Sequence, residues 1–233
     1  MALDPHQRCG HATGGDPYQW VARVYDLLLD PWLRPVHRAV TDVCRREGAV
    51  RVVDLCCGTG AQCRRLHRAG LEVTGVDISA AMVARARFKA PADLPIVHGD
   101  AAHTSFVADH FDAAVISFAV HEKPLLQRLA LLAEAARLVR SGGVICIADF
   151  LSRSASSRSG HWARTIMELC AGHAHFACYR DYLARGAMPG LLACLDWMGH
   201  VEQTFHRRSS GLYVIRPSYC GTANCQTQRR HGP

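Results

Sequence analysis

Three carboxylates and one glycine-rich turn carry the clearest chemistry in this chain. Val52-Val53-Asp54-Leu55-Cys56-Cys57-Gly58-Thr59-Gly60 takes a buried, β-branched run into a tight turn. Glycines at 58 and 60 let the backbone come close to a ligand and present N–H groups at the start of a helix. A nucleoside carrying an anionic group fits such a turn, and Asp54 at the strand end is placed to accept a hydrogen bond from an ammonium group. A glycine-containing turn with no ligand is the plain alternative. A second acid, Asp77, ends the next strand in Val76-Asp77-Ile78-Ser79, where a carboxylate takes both ribose hydroxyls of an adenosine. A third follows in His98-Gly99-Asp100-Ala101. There Asp100 accepts from an adenine amino group and the Ala101 amide donates to a ring nitrogen. One carboxylate after a strand is readily a helix cap; three after successive strands are hard to assign to capping.

The elements that must position these residues alternate. Tyr18 to Leu29 reads as a helix stopped at Asp30-Pro31, and Pro35 to Glu47 as a second one stopped by Gly48. Strands are expected at Arg51–Leu55, Leu71–Val76, Pro95–His98, Phe111–Ser117 and Gly143–Asp149, with helices at Ala61–Arg68, Ala80–Lys89 (N-capped by Ser79) and Leu125–Val139. Such alternation argues for a parallel sheet with helices on both faces, which binds ligands at the carboxyl ends of its strands where the strand order reverses. The stretch from Asp149 to a sixth strand at His200–Arg207 is too long for a simple crossover. It carries two helical stripes, one on Trp162, Ile166 and Leu169, the other on Phe176, Tyr179, Tyr182 and Leu183. The last strand, Gly211–Arg216, is expected to pair with the sixth as a hairpin. Residues 1–16 and 221–233 read as flexible ends, and 17–220 as one domain.

Composition bounds the rest. Of 233 residues, 49% are hydrophobic and 20% charged, a globular balance rather than a disordered one. No apolar run is long enough for a membrane span, and the first residues lack the order of a signal peptide, so a cytoplasmic protein is expected. The 11 cysteines are odd in number and several stand in apolar stretches, so they read as small buried hydrophobes, free rather than bridged. A net charge of +7 comes from arginines scattered along the chain, not from a block, so a nucleic-acid partner is not expected.

Taken together, these motifs resemble the class I S-adenosylmethionine-dependent methyltransferases, in the group resembling the ubiquinone/menaquinone biosynthesis enzymes. The resemblance covers Val52 to Asp149 and rests on DLCCGTG at the first turn, GVDIS, HGDA, FDAAVISFAVHE and EAARLVRSGG. It implies a doubly wound α/β fold with a mostly parallel seven-stranded sheet and an antiparallel last strand; the long striped segment after strand five is expected to add a helical lid at about residues 157–185. It implies that Asp54 and the glycine turn hold the methionine end, Asp77 the ribose, and Asp100-Ala101 the adenine. The expected cofactor set is Asp54, Cys56, Gly58, Thr59, Gly60, Asp77, Ile78, Met82, Asp100, Ala101 and Ser117. One departure stands out: the family usually has glycine where this chain has Cys56. A nicotinamide-dependent dehydrogenase fits worse, because Gly58-Thr59-Gly60 is not completed to G-x-G-x-x-G.

On the acceptor side, Ser117 to Glu122 leaves strand four facing the transferable methyl, and His121 is a candidate base or positioning group, or else a helix cap. The segment Ala171 to Tyr182 would cover the pocket, with His173, His175, Tyr179 and Arg180 as acceptor contacts. His173-x-His175 has no third ligand of clear spacing, so no metal is expected. Thiol capture of a soft metalloid by Cys56, Cys57, Cys63, Cys170 and Cys178 is a remote alternative. The function expected is methyl transfer to a small aromatic or lipid-like acceptor. Its rivals are a cofactor-binding protein without turnover and a nucleic-acid methyltransferase, though the latter's Asn/Asp-Pro-Pro-aromatic run is replaced here by Ser117-Phe118-Ala119-Val120.

Overall fold

The computed structural model describes residues 22–152, 155 and 173–217. Strands β1 (Arg51–Leu55), β2 (Glu72–Asp77), β3 (Ile96–His98), β4 (Phe111–Ser117), β5 (Val139–Phe150), β6 (Gly199–Phe205) and β7 (Ser210–Ile215) form one sheet in the order β3-β2-β1-β4-β5-β7-β6. All neighbours are parallel except β7, which is antiparallel to both β5 and β6. The strand order reverses between β1 and β4, so the crevice at their carboxyl ends is where such a sheet binds ligands.

The sheet is buried on both faces, and the alternation of side chains along each strand divides the core in two. Val52, Ala113, Val115, Val144 and Cys146 pack under α1 (Ala22–Arg46), α2 (Ala61–Arg68) and α3 (Ala80–Lys89). Val53, Leu55, Ala114, Ile116, Ile145 and Ile147 pack under α4 (Leu125–Leu138), α5 (His173–Ala184) and α6 (Ala187–Leu195). At Gly75 the two thiols of Cys57 and Cys63 come so close that a Cβ would lie 2.9 and 2.8 Å from them, which explains the glycine inside β2.

Most expected elements are present within a residue or two, including the Ser79 cap, whose Oγ accepts from the Met82 amide at 3.1 Å, and the β6–β7 hairpin. Two differ. The expected pair of N-terminal helices is one continuous helix, α1, running through Pro31 and Pro35. A proline removes a backbone donor and crowds the preceding turn. The helix nonetheless persists, because its later turns are held by the buried stripe Val36, Val40, Val43 and Cys44. Strand β5 also begins earlier than expected, at Val139 directly after α4. Val139 pairs with Phe111, a register shift follows, and Gly143 sits where a Cβ would run into the Asp112 carbonyl.

Helix α5 is fastened by a buried arginine. Arg128, fully buried on α4, donates to the Val120 carbonyl (3.2 Å), the Cys178 carbonyl (2.6 Å) and Asp181 (2.8 Å), and stacks over Tyr182. The stripe Phe176, Tyr179, Tyr182 and Leu183 faces inward as its spacing required. The other stripe of the expected lid, at 161–170, and both chain ends lie outside the described residues.

Candidate functional site

The first turn is built from left-handed backbone. Cys56, Gly58 and Gly60 have φ of 61°, 54° and 71°, which glycine adopts freely and cysteine does not. The Cys57 amide donates to Val76 and the Gly60 amide to Cys57, each at 2.9 Å, closing the loop against the end of β2. Asp77 ties the two strand ends together: its carboxylate accepts from the Gly58 amide at 2.7 Å and from the Ser79 amide at 2.9 Å. Burial raises its pKa, while these two N–H groups work in the opposite direction.

Asp54 is 1% exposed. Among the described residues its carboxylate has a weak partner, the Cys63 thiol donating at 3.0 Å. Burial pushes its carboxyl up to about 7, the thiol opposes this, and the charge of Asp77 adds to it. Such a carboxylate is short of a cation.

A cavity of about 460 Å³ opens at the carboxyl ends of β1, β2 and β4. Its walls include Cys56, Gly58, Asp77, Ile78, Met82, Asp100, Ala101 and Ser117. A smaller recess continues it toward α1 and α2, walled by Asp54, Thr59, His37 and Gln62 and sharing Cys56, Gly58, Ser117 and Phe118 with the larger cavity. The Ser117 hydroxyl is buried with no hydrogen-bond partner among the described residues. Every residue of the expected cofactor set thus borders one cleft except Gly60, whose place is conformational: it is the left-handed N-cap of α2. Asp100 does both things its type allows. It borders the cavity, and its carboxylate also accepts from the Ala102 amide and meets the His103 ring, each at 2.9 Å. Burial acts to raise its pKa, but those partners prevail and hold it low.

The sequence reading gave no role to two wall residues, Glu122, the last of the stretch expected to face the methyl, and Lys123 beyond it. The Lys123 ammonium donates to Glu122 at 3.1 Å. Burial disfavours the charge on Lys123, yet Cys56, Glu122 and Asp77 together push it above its ordinary range, so the cavity wall carries a Lys123–Glu122 ion pair. Phe118 is a third wall residue, held at φ 54° and in ring contact with Trp32 and Phe150. A bulky residue in that region marks strain at the strand exit.

His121 lies behind the cavity wall, 5% exposed. Its Nδ1 is 2.7 Å from Asp149, a fully buried carboxylate that also accepts from the amides of Val120, His121 and Phe150. Tyr179 faces this ring edge-on, with centroids 6.3 Å apart, and His175 approaches Glu122 at 3.8 Å. Arg180 does not join them: it is exposed and sits over Phe176. One residue past Tyr179, it is turned about 100° around the helix from the inward stripe. His173 begins α5, and its side chain lies outside the described set. The cysteines described, Cys44, Cys56, Cys57, Cys63, Cys146, Cys178 and Cys194, are free thiols. Among the described residues no three His, Cys, Asp or Glu side chains converge as metal ligands would.

Residues 52–143 match the family model described as "Methyltransferase domain". A demethylmenaquinone methyltransferase of Beutenbergia cavernae is 35% identical over 151 residues, covering 63% of this chain and 59% of that protein. The chain spans about half the length of the other curated relatives it resembles. An O-methyltransferase family protein from Burkholderia thailandensis shares the fold with a TM-score of 0.67 at 14% identity, over 86% of this chain and 60% of that one. Human N-acetylserotonin methyltransferase, solved in complex with S-adenosylmethionine, gives a TM-score of 0.60 at 14% identity, over 84% of this chain and 55% of that one. DLCCGTG, GVDIS and HGDA thus stand at the ends of β1, β2 and β3, inside the segment that matches the methyltransferase domain model, in a sheet whose fold is that of the methyltransferases above.

Proposed function

We propose that this protein transfers a methyl group from S-adenosylmethionine to a small aromatic or lipid-like acceptor, in the cytoplasm. The observation that carries the reading is the pair of buried polar groups in one cleft that lack adequate partners, the Asp54 carboxylate and the Ser117 hydroxyl. Such groups are costly unless a ligand completes them. The residues present fit the cofactor. Asp54 would take its ammonium group, the turn at 56–59 its methionine carboxylate, Asp77 its ribose hydroxyls, and Ile78, Met82, Asp100 and Ala101 its adenine. When bound, the cofactor supplies an electrophilic methyl carbon on a sulfonium.

The chain's own residues would then orient and exclude water rather than perform covalent chemistry. Phe118 gives the acceptor an aromatic wall. Lys123 stands where it would steady negative charge on an acceptor oxygen. His121, fixed by Asp149, is a positioning residue: it holds the Val120–Lys123 turn that presents Glu122 and Lys123 to the cavity. Tyr179 and His175 close the same side from α5. Support for an aromatic, lipid-like acceptor comes from the relatives, which are demethylmenaquinone and ubiquinone/menaquinone methyltransferases.

The test is turnover with methyl-labelled cofactor against a bacterial lipid extract and, separately, against RNA and DNA. Label in a lipid-soluble product, with matching release of S-adenosylhomocysteine, is the expected result. Tight cofactor binding with no label transferred to any acceptor, or label in nucleic acid alone, would overturn the reading.

A further inference from the structure

Two thiols meet behind the candidate cleft. Cys57 lies in the glycine-rich turn and Cys63 at the start of α2. Both sulfurs converge on the space that the missing side chain of Gly75 leaves in β2: the point a Cβ would occupy is 2.9 Å from the Cys57 Sγ and 2.8 Å from the Cys63 Sγ. The two sulfurs are in hydrogen-bonding contact, and the Cys63 thiol donates to Asp54 Oδ2 at 3.0 Å. Both cysteines are free in this structure. Their access differs. Cys57 is 9% exposed and borders the recess beside Asp54, whereas Cys63 is fully buried behind it. Their acidity differs too. The contact with Cys63 favours the Cys57 thiolate, although burial and the charges of Asp54 and Asp77 leave that thiol above its ordinary range. The same contact, with burial and the charge of Asp54, holds Cys63 well above that range. Cys57 is therefore the sulfur that meets an oxidant first, and Cys63 the one placed to resolve it. A second pair, Cys44 on α1 and Cys146 on β5, is also in contact, but both are fully buried and neither borders the cleft or its recess.

We propose that Cys57 and Cys63 are a modification site, forming under hydrogen peroxide a reversible disulfide that loosens the cofactor turn from behind. The Cys57 sulfur attacks one peroxide oxygen; the O–O bond breaks, a sulfenic acid forms and one water leaves. The Cys63 sulfur then attacks that sulfur; the S–S bond forms, the S–O bond breaks and a second water leaves. The two thiols give up two electrons and two protons, and the peroxide is reduced to two waters. Closing brings the sulfurs to about 2 Å. Cys63 must then leave Asp54, and Cys57 must move within a turn pinned by its amide bond to the Val76 carbonyl. Asp54 loses the thiol donor that favours its ionised form. A weaker hold on the cofactor's ammonium group follows, a consequence that rests on the role of Asp54 proposed above. In a reducing cytoplasm such a bond is transient.

Peptide mapping tests the bond and calorimetry tests its effect. Arg51 and Arg64 place Cys56, Cys57 and Cys63 on one tryptic peptide, 52–64. After hydrogen peroxide treatment and alkylation of the unfolded protein, that peptide should lack two hydrogens and carry one alkyl group, while Cys44 and Cys146 are alkylated in full. Cys56→Gly should close as wild type does, leaving no alkylated cysteine on the peptide. Neither Cys57→Ala nor Cys63→Ala should close; the pair is broken from either side, so one folded variant decides. Oxidised wild type should bind S-adenosylhomocysteine about tenfold more weakly than reduced protein, the worth of one hydrogen bond to a charged group, and dithiothreitol should restore the affinity. The proposal falls if all three cysteines of the peptide are alkylated, or if Cys63→Ala still closes, because the bond would then join Cys56 to Cys57. It also falls if the closed protein binds as tightly as the reduced one. Reduced protein with no affinity for S-adenosylhomocysteine would overturn the cofactor reading, and the loosening with it, while the peptide map alone decides the bond.

Discussion

Cys56 holds a left-handed conformation at the point where the larger cavity and the recess meet. An L-residue there costs roughly 1–2 kcal/mol relative to glycine, and glycine returns about half of that through its freer unfolded chain. Cys56→Gly, the residue the family usually has, should therefore raise thermal stability slightly and leave S-adenosylhomocysteine affinity equal or a few-fold better. A loss of more than about tenfold on calorimetry would mean that the side chain itself is a ligand contact. Asp77 is the opposite case, a side chain that already holds the turn through one amide on each carboxylate oxygen and keeps further lone pairs toward the cavity. Its removal would cost the ribose contacts proposed for it and also the Gly58 and Ser79 amide bonds that hold the turn. Asp77→Ala is expected to weaken cofactor and product alike by roughly 30- to 150-fold, the equivalent of about 2–3 kcal/mol. Unchanged affinity in a folded Asp77→Ala protein would remove this residue from the site. The three acids were legible in the sequence because each follows a strand, and strand ends are where this kind of sheet binds. Glu122 and Lys123 were not, because adjacent opposite charges in a loop usually mean solvent. Only the turn after Phe118, fixed from behind by Asp149, brings them onto the wall.

Helix α5 owes its position to Arg128 more than to its own amphipathicity, since that one guanidinium reaches β4's exit and two points on the helix. Arg128→Met keeps the apolar stem but removes the guanidinium's bonds to the Val120 and Cys178 carbonyls and leaves Asp181, which is partly exposed, to Arg185, with which it already pairs. A stability loss of about 2–4 kcal/mol is expected on denaturant unfolding. Acceptor turnover should suffer with S-adenosylhomocysteine affinity nearly intact, because Arg128 touches neither cavity. Equal loss of both would show that α5 props the whole cleft, not the acceptor side. At this scale the strands were easy to read as short β-branched runs with glycine or proline at their ends. What escaped was set by tertiary contacts. The Pro31 signal for a helix stop yields to the packed stripe farther along α1, and the Ser141-Gly142-Gly143 turn signal hides a strand that starts before it. Arg180 could have been placed from the sequence: it is out of phase with the Phe176, Tyr179 and Tyr182 stripe that the same reading identified.

For the molecule as a whole, the cleft is a stability liability that the proposed cofactor would relieve. Asp54 is pushed up to about 7 by burial, so between the ordinary carboxylate range and that value the folded state keeps a proton that the unfolded chain has released. The native state then binds more protons, and stability falls as pH rises through this window. Each pH unit amounts to about 1.4 kcal/mol, so Asp54 alone should remove roughly 2 kcal/mol between pH 5 and 7. Asp112 and Glu134 act in the opposite sense. Burial works to raise both, but Arg140 and Arg137, with nearby N–H and hydroxyl donors, hold them below their usual range. Their contribution is present above about pH 4.5 and lost as pH falls through their depressed values. His206, lowered by burial, adds a smaller rise with pH near its own titration. The ligand-free protein is therefore expected to be most stable on the acid side of neutrality. Asp54→Asn isolates the relevant limb: thermal unfolding from pH 5 to 7.5 should decline in wild type and flatten in the variant, while the acid limb stays common to both. S-adenosylhomocysteine carries the ammonium that Asp54 lacks, so its affinity for wild type should rise with pH up to about 7 and then level. A wild-type curve parallel to that of Asp54→Asn, with product affinity independent of pH, would mean that Asp54 is already ionised in the ligand-free cleft and that no cation is wanted there.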